Sequence, residues 1–488
     1  MLFSRLLEKI EYRNPILDCE IDHITNDSRE ARGGSVFVCI KGFATDGHLY
    51  AKKAYENGCR AFVCEREIDL PNDARIVTVG NSRNALARLS CELYGNPSRE
   101  LFVIGITGTK GKTTTALMIK QLLDVSGVPC GYIGSNGVIY SDKKIDAANT
   151  TPESYKLQSF MRDMLNSGTR ALVMEVSSQA LKLNRVLGID FDITLFTNLS
   201  PDHIGPGEHD SFDDYFNTKK RLFDDFECKA VIANADDSYT KRMLADCKSK
   251  IMLYSINAPS DYKAEAVELY RTNDFLGMKF NCRTEKEIFP CALSIPGEFN
   301  VHNALSCIAV ADVLGINLDF VAKTLANMQI EGRFECIHTS DGACFVIDYA
   351  HNGLSLEASL NALRKYEPSR LICLFGSVGC RTQIRRTQMG EVASRCADFS
   401  ILTSDNPATE DEMAIINEIA EQYDNPDSYI AIPDRKKAIE YAFRMSSEGD
   451  IILLAGKGHE KYQLIGNCKE YFCEREIVED CINAMKFV

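Results

Sequence analysis

Between Leu101 and Leu123 the chain reads LFVIGITGTKGKTTTALMIKQLL, an apolar run, a glycine-rich turn and an amphipathic segment of helical spacing. This junction constrains the fold more than any other stretch, because a buried strand must lead directly into a helix whose first turn carries Lys112 and Thr113. The backbone N–H groups of such a loop and the helix N-terminus bind phosphate oxygens, the lysine adds a point charge, and the threonine offers a hydroxyl ligand for Mg²⁺. Only Gly108 to Thr113 (Gly108, Thr109, Lys110, Gly111, Lys112, Thr113, followed by Thr114) matches the Walker A pattern, since Ile106 stands where its first glycine would be. The loop therefore reads as a nucleoside triphosphate site, which alone fits a kinase, a GTPase, a motor or a ligase.

With 488 residues the chain exceeds what one core supports, and about three domains are expected. Turn signals such as GNPSRE near Asn96 and MQIEGRFE near Gly332 divide it into parts spanning 1–98, 99–331 and 332–488. The first reads as a small α/β unit. The second continues from the phosphate loop through strand-like runs ending in polar residues, ALVMEVSS, ITLFTNLSPDH and KAVIANADD. In the third, CFVIDYAHN, RLICLFGSVG, DFSILTSDNP, SYIAIPD and DIILLAGKGHE alternate with helix-length amphipathic segments, the pattern of a parallel, doubly wound sheet. The fold class is α/β throughout. Ligands in such sheets bind beyond the carboxyl ends of the strands, where DYAH, GSVGCR, DNPA and GKGHE fall.

A formal charge of −14 argues against nucleic acid as a partner. Nineteen scattered cysteines without a CxxC pair suggest free thiols in a reducing cytoplasm. No apolar run approaches the ~20 residues of a membrane span. A cytoplasmic monomer acting on small molecules is expected. Glu175 ends the apolar run ALVM, so its carboxylate should emerge at a strand end as a hard oxygen ligand for Mg²⁺. His203 also follows an apolar strand. Composition does not distinguish Lys219 from its neighbour Lys220.

Taken together, GITGTKGKTTT, NTTP, MEVSSQAL, TNLSPDH, IPGEFNVHNAL, GRFE, DYAHN, TSDNPA and LAGKGHEKYQ resemble, in order, the motifs of the Mur ligases, ATP-dependent amide-forming enzymes of cell-wall precursor synthesis. With DSR and DGH in the first part, the likeness is to members that add the third residue to UDP-N-acetylmuramoyl-L-alanyl-D-glutamate. The resemblance implies a UDP-binding first domain, a central ATPase domain and a Rossmann-like third domain that supplies the amine and closes by hinge motion. It implies that Lys112 and Thr113 hold ATP phosphates and Mg²⁺, that Glu175 and His203 are metal ligands, and that Lys219, four residues after Tyr215, is carbamylated by CO₂. Asn300, His302 and Asn303 match the adenine-side segment, and Arg333, Asp348, Tyr349 and His351 the part that closes over the nucleotide. Ser28, Arg29, Asp46, Gly47 and His48 match the uridine-nucleotide site, and Thr150, Thr151, Ser177 and Arg185 the muramoyl-dipeptide contacts. Arg381, Asp405, Asn406, Ala408, Gly456 and Glu460 match the amino-acid pocket.

Several positions depart from the family's pattern. Members that add meso-diaminopimelate have DNPR, whose arginine pairs with the distal carboxylate; Ala408 stands there instead, so L-lysine or L-ornithine is the expected amine. Thr382 replaces the aspartate of GGRD, Gln179 the histidine after EVSS and Gly353 the proline after DYAH, and IGPGEHD stands in place of LDYHG. The competing readings are a paralogue with another acceptor or amine, including meso-diaminopimelate, a folylpolyglutamate- or cyanophycin-type synthetase, and a nucleotide-binding protein without catalysis. Intact Lys112, Glu175, His203 and Lys219 disfavour the last.

Overall fold

The computed structural model describes residues 1–485 apart from 15, 16, 44, 203, 206, 381 and 382. The chain forms two compact units, one comprising residues 1–261 with 309–315 and the other residues 262–308 with 316–488. Among the described residues no helix is long and apolar enough to cross a membrane, and all nineteen cysteines are free thiols.

The first unit holds two sheets. The smaller has the order Tyr12–Arg13, Arg75–Val79, Ala61–Cys64, Ser35–Val38, His23–Thr25, parallel except for its first strand. In the larger, parallel strands run in the order Ile251–Ser255, Ala230–Asn234, Ile193–Phe196, Phe102–Thr107, Ala171–Glu175, Cys130–Gly134, and two short antiparallel strands follow. Apart from half-buried Phe102, the three central strands Ile193–Phe196, Phe102–Thr107 and Ala171–Glu175 are buried along their length, as a sheet covered on both faces requires. The sequence order reverses around Phe102–Thr107, which makes its carboxyl end the switch point where a ligand crevice opens. Three segments emerge side by side there: the phosphate loop, the chain after Glu175 and the chain after Phe196.

The second unit contains antiparallel strands Tyr262–Thr272, Phe275–Arg283 and Ile288–Leu293, a feature the parallel reading of the middle part did not include. Its main sheet has the order Glu335–His338, Cys344–Asp348, Ile451–Ala455, Leu371–Phe375, Phe399–Leu402, Tyr429–Ala431. All but the first strand are parallel, which realises the doubly wound pattern read from the sequence. The strand ends carrying DNPA and GKGHE are tied together by a buried arginine. Arg435, at the start of helix Arg435–Met445, donates to the Ser404 and Ala455 carbonyls at 3.2 and 2.8 Å and to Glu474 Oε1 at 2.9 Å. Both members of this ion pair are buried.

Removing one partner of a buried pair leaves an uncompensated charge. Arg435→Met should therefore destabilise the protein by ~3–5 kcal/mol, read as a lowered unfolding midpoint. An unchanged midpoint would show that the strand ends hold without it.

Candidate active site

Two glycines give the phosphate loop its shape. Gly108 has φ +151° and Gly111 φ +84°, both outside the range comfortable for other residues. A Cβ on Gly108 would lie 1.9 Å from Thr197 Oγ1, so only glycine lets the loop lie against the end of the neighbouring strand. That approach is fixed by polar contacts. Thr109 N donates to the Asn198 carbonyl at 2.8 Å, Lys110 N donates to Asn198 Oδ1 at 2.9 Å, and Thr197 Oγ1 donates to the Lys110 carbonyl at 2.7 Å. Thr113 and Thr114 follow Lys112 in the first turn of helix Lys112–Val125.

Two lysines converge on the same loop carbonyl. Lys112 Nζ lies 2.8 Å from Gly108 O and 3.0 Å from Thr109 O. Lys219 Nζ lies 2.9 Å from Gly108 O and 4.8 Å from the centroid of the Tyr215 ring. Lys219 belongs to helix Phe212–Asp224, whose buried side includes Tyr215, Phe216 and Leu222 and which Ser211 caps by accepting from Asp214 N. It is 2 % exposed, and burial, reinforced by the positive charge of Lys112, holds its pKa well below that of an ordinary lysine. Lys220 points away from this interior and pairs with Asp224 and Asp246. The fold thus separates two lysines that composition could not.

Glu175 is buried at the carboxyl end of its strand. Its Oε1 accepts from the Tyr132 hydroxyl at 2.6 Å and from Ser135 N at 3.0 Å. A Cβ on Gly134 would lie 2.3 Å from that oxygen, so the carboxylate occupies a cradle that glycine keeps open. Thr151 Oγ1 donates to the Glu175 carbonyl at 2.7 Å and accepts from Ser177 N at 3.1 Å; Arg185 Nη1 donates to the Thr151 carbonyl at 3.0 Å. Ser177 caps helix Ser178–Lys182, and Thr150 Oγ1 lies 3.1 Å from Ser135 Oγ. The dipeptide set named from the sequence is therefore gathered around the strand end that carries Glu175. His203 lies outside the described residues.

In the smaller sheet, His48 is buried and engaged at both ring nitrogens. Nδ1 lies 2.6 Å from Asp46 Oδ1, and Nε2 accepts from Glu65 N at 3.1 Å. Asp46 also pairs with Arg66 at 2.7 Å and is depressed to about 2, chiefly by its hydrogen bond to His48. His48 thus holds the loop. A Cβ on Gly47 would lie 2.7 Å from Ile40 N, so the loop packs directly on backbone. Arg29 extends into solvent, paired with Asp27, and the Ser28 carbonyl accepts from Asn57.

In the second unit, Asn300 donates to the Pro296 carbonyl at 2.7 Å and accepts from Asn303 at 2.9 Å, locking the start of helix Glu298–Val313, with His302 half-buried between them. The Arg333 guanidinium lies 4.8 Å from the centroid of the Tyr349 ring. Asp348 accepts from Ser359 Oγ at 2.8 Å; burial raises its pKa, and Arg333 opposes that rise. His351 Nδ1 lies 2.9 Å from the Tyr349 carbonyl. Tyr349 donates to Glu460 at 3.3 Å, and Asn406 Nδ2 donates to the same carboxylate at 2.9 Å. Gly456 touches this group through Asp405, whose Oδ2 would lie 2.9 Å from its Cβ. Ala408 sits at φ +53°, its N–H and C=O bonded to Leu464 and Gly466. Arg381 and Thr382 lie outside the described residues.

Sequence reasoning passed over several residues that shape these groups. Lys457, in the GKGHE segment, is fully buried among Asp405, Asn406 and Glu460, and its flanking glycines after a buried strand were a usable signal. Tyr132 and Ser135 gave none, because they reach Glu175 across a sheet. Two departures from the family's pattern touch one another: Gln179 Nε2 donates to the Gly207 carbonyl at 3.1 Å. A side chain placed at Gly353 would crowd Gln388, whose Cβ lies 2.9 Å from the position of a Cβ there.

The chain matches three family models laid end to end: "Mur ligase family, catalytic domain" over residues 20–94, "Mur ligase middle domain" over 106–311 and "Mur ligase, glutamate ligase domain" over 332–458. It is 40% identical over 469 residues to a UDP-N-acetylmuramoyl-L-alanyl-D-glutamate–2,6-diaminopimelate ligase of Clostridium botulinum, covering 95% of each chain. It is 41% identical to the protein of the same name from Caldanaerobacter subterraneus, covering 96% of each. A solved structure of a ligase of that name superposes with a TM-score of 0.70 at 27% identity, covering 96% of this chain and 95% of that one. Phosphate loop, buried lysine and cradled glutamate, with likeness along nearly the whole length, place this chain in the Mur ligase family of ATP-dependent ligases.

Proposed function

We propose that this ligase joins the D-glutamate γ-carboxylate of UDP-N-acetylmuramoyl-L-alanyl-D-glutamate to the amine of a basic amino acid, L-lysine or L-ornithine, using ATP. The observation that carries the reading is the convergence of Lys112 and a buried Lys219 on the Gly108 carbonyl, where burial and the charge of Lys112 both disfavour a second ammonium. A motor or GTPase loop has no need of a second lysine buried against it.

A carboxylate does not form an amide unaided, because its oxygen is a poor leaving group. In the proposed reaction a γ-carboxylate oxygen attacks the γ-phosphorus of ATP, forming an O–P bond as ADP leaves. The amine then attacks the acyl carbon, and phosphate departs with that oxygen. Loop N–H groups and Lys112, which exchanges the Gly108 and Thr109 carbonyls for phosphate oxygens, would hold the charge in place. Thr151, Ser177 and Arg185 would orient the dipeptide, with Thr150 beside them, and Ser28, Arg29 and Asp46 the uridine nucleotide on a loop fixed by Gly47 and His48. Asn300, His302, Asn303, Arg333, Asp348, Tyr349 and His351 would serve the nucleotide.

A neutral amine can attack CO₂, form an N–C bond and lose a proton. Lys219 would thereby become an anionic carbamate facing Lys112. The donor set suits Mg²⁺: the Thr113 hydroxyl, the Glu175 carboxylate in its cradle, His203 and the Lys219 carbamate would hold it, and it would supply charge neutralisation at the phosphates.

The amine assignment rests on the pocket's charges. Ala408 brings no guanidinium to pair with a distal carboxylate, and the Glu460 carboxylate, held by Lys457 beside Asp405, would meet a side-chain ammonium. A second reading, 2,6-diaminopimelate, is favoured by the names of the relatives.

Phosphate release with product mass, across L-lysine, L-ornithine and meso-diaminopimelate, decides between them. Lysine or ornithine should be preferred, and Ala408→Arg should move the preference toward diaminopimelate by about tenfold or more, the worth of a charge-assisted hydrogen bond. Preference of the unaltered chain for diaminopimelate would overturn the amine assignment.

Lys219→Met should abolish turnover without lowering stability. Between its depressed pKa and 10.5 the unfolded chain holds a proton that the folded lysine lacks, so Lys219 makes stability rise with pH. The methionine variant should lose that part of the slope in melting experiments at graded pH. In Lys219→Ala, short carboxylates should partly restore turnover. A fully active variant would remove Lys219 from the mechanism.

A further inference from the structure

The GKGHE segment contains a lysine that the reaction as described does not use. Lys457 follows strand Ile451–Ala455 and has no exposed surface. Its ammonium donates to Asn406 Oδ1 at 3.0 Å and lies 3.4 Å from both Asp405 Oδ1 and Glu460 Oε2. Asn406 closes the ring by donating to Glu460 Oε2 at 2.9 Å and accepts from Leu464 N at 2.9 Å. Tyr349 donates to the other Glu460 oxygen. Gly456, at φ +113°, brings the strand end close enough for this ring to form.

A buried ion pair is a weak source of net stability, and the neighbouring Arg435–Glu474 pair already ties these strand ends. The two arrangements differ in what they reach. Glu474 is itself buried, whereas Asn406 and Glu460 remain partly open to solvent. Lys457 therefore connects a dry interior to groups that a ligand can meet.

We propose that Lys457 is a positioning residue for the incoming amino acid, its ammonium fixing the Glu460 carboxylate, directly and through Asn406, in the orientation that receives the substrate's ammonium. This rests on the amino-acid pocket proposed above. Without the lysine, Glu460 and Asp405 repel one another, and Asn406 loses the partner that sets its amide.

The test is steady-state kinetics of Lys457→Met in the full chain, with ATP, the UDP-dipeptide and the amine the unaltered chain prefers. The KM for the amine should rise about tenfold or more, while kcat and the KM for ATP change less than about threefold. Paired with Glu460→Gln, the effects should be non-additive, the double variant matching Glu460→Gln in amine KM within about twofold. Lys457→Gln, which keeps a donor without the charge, should lie between. An unchanged amine KM, multiplying effects, or a loss shared equally by kcat and every KM would overturn the proposal. So would failure of both single variants to fold, which would make the lysine a folding element. An unaltered chain that turns over no amine overturns the functional reading itself, and this inference with it.

Discussion

The site depends on the contact between the phosphate loop and the end of the adjacent strand. Gly108 lies against Thr197 where no side chain fits, and the hydrogen bonds of Thr109, Lys110, Thr197 and Asn198 hold it there. The Gly108 carbonyl is thereby presented to both Lys112 and Lys219. A charged ammonium and a buried amine meeting at one acceptor is a poor arrangement for stability. It becomes intelligible if both are reserved for groups that arrive later, phosphate oxygens at one and CO₂ at the other. The depressed basicity of Lys219 follows from its burial, reinforced by the charge of Lys112 that the loop brings beside it.

In the second unit the corresponding constraint is a buried polar floor. Arg435 ties the carbonyls of Ser404 and Ala455, and Lys457 links Asp405, Asn406 and Glu460. Strand ends in a parallel sheet offer backbone and short loops, and side chains there are precise only if something rigid orients them. The two cations provide that rigidity. The price is a dependence on charge balance, which is why the amine's own charge is expected to matter for recognition.

Much of this was legible in the sequence for simple reasons. A buried run, Gly-Lys-Thr and a helix admit few structures, and alternating apolar strands and amphipathic helices from Cys344 to Ala455 specify a doubly wound sheet. The choice of Lys219 over Lys220 was not legible from composition, because one position along a helix decides which lysine is buried, and only packing shows which face turns inward. The antiparallel strands from Tyr262 to Leu293 escaped because their exposed residues alternate irregularly around a bulge near Ala266. His48 was marked as a match to the uridine-nucleotide site, whereas its partner, the Glu65 N–H, is a backbone group that no side-chain pattern reveals.

The central claim is that the chain activates a carboxylate by phosphorylation. Its most direct test uses the UDP-dipeptide with ¹⁸O in the D-glutamate γ-carboxylate, turned over with ATP and the preferred amine, and follows the label by mass spectrometry. The account predicts that the released inorganic phosphate carries one labelled oxygen for each amide formed, the other remaining in the amide carbonyl. Unlabelled phosphate accompanying amide formation would contradict it.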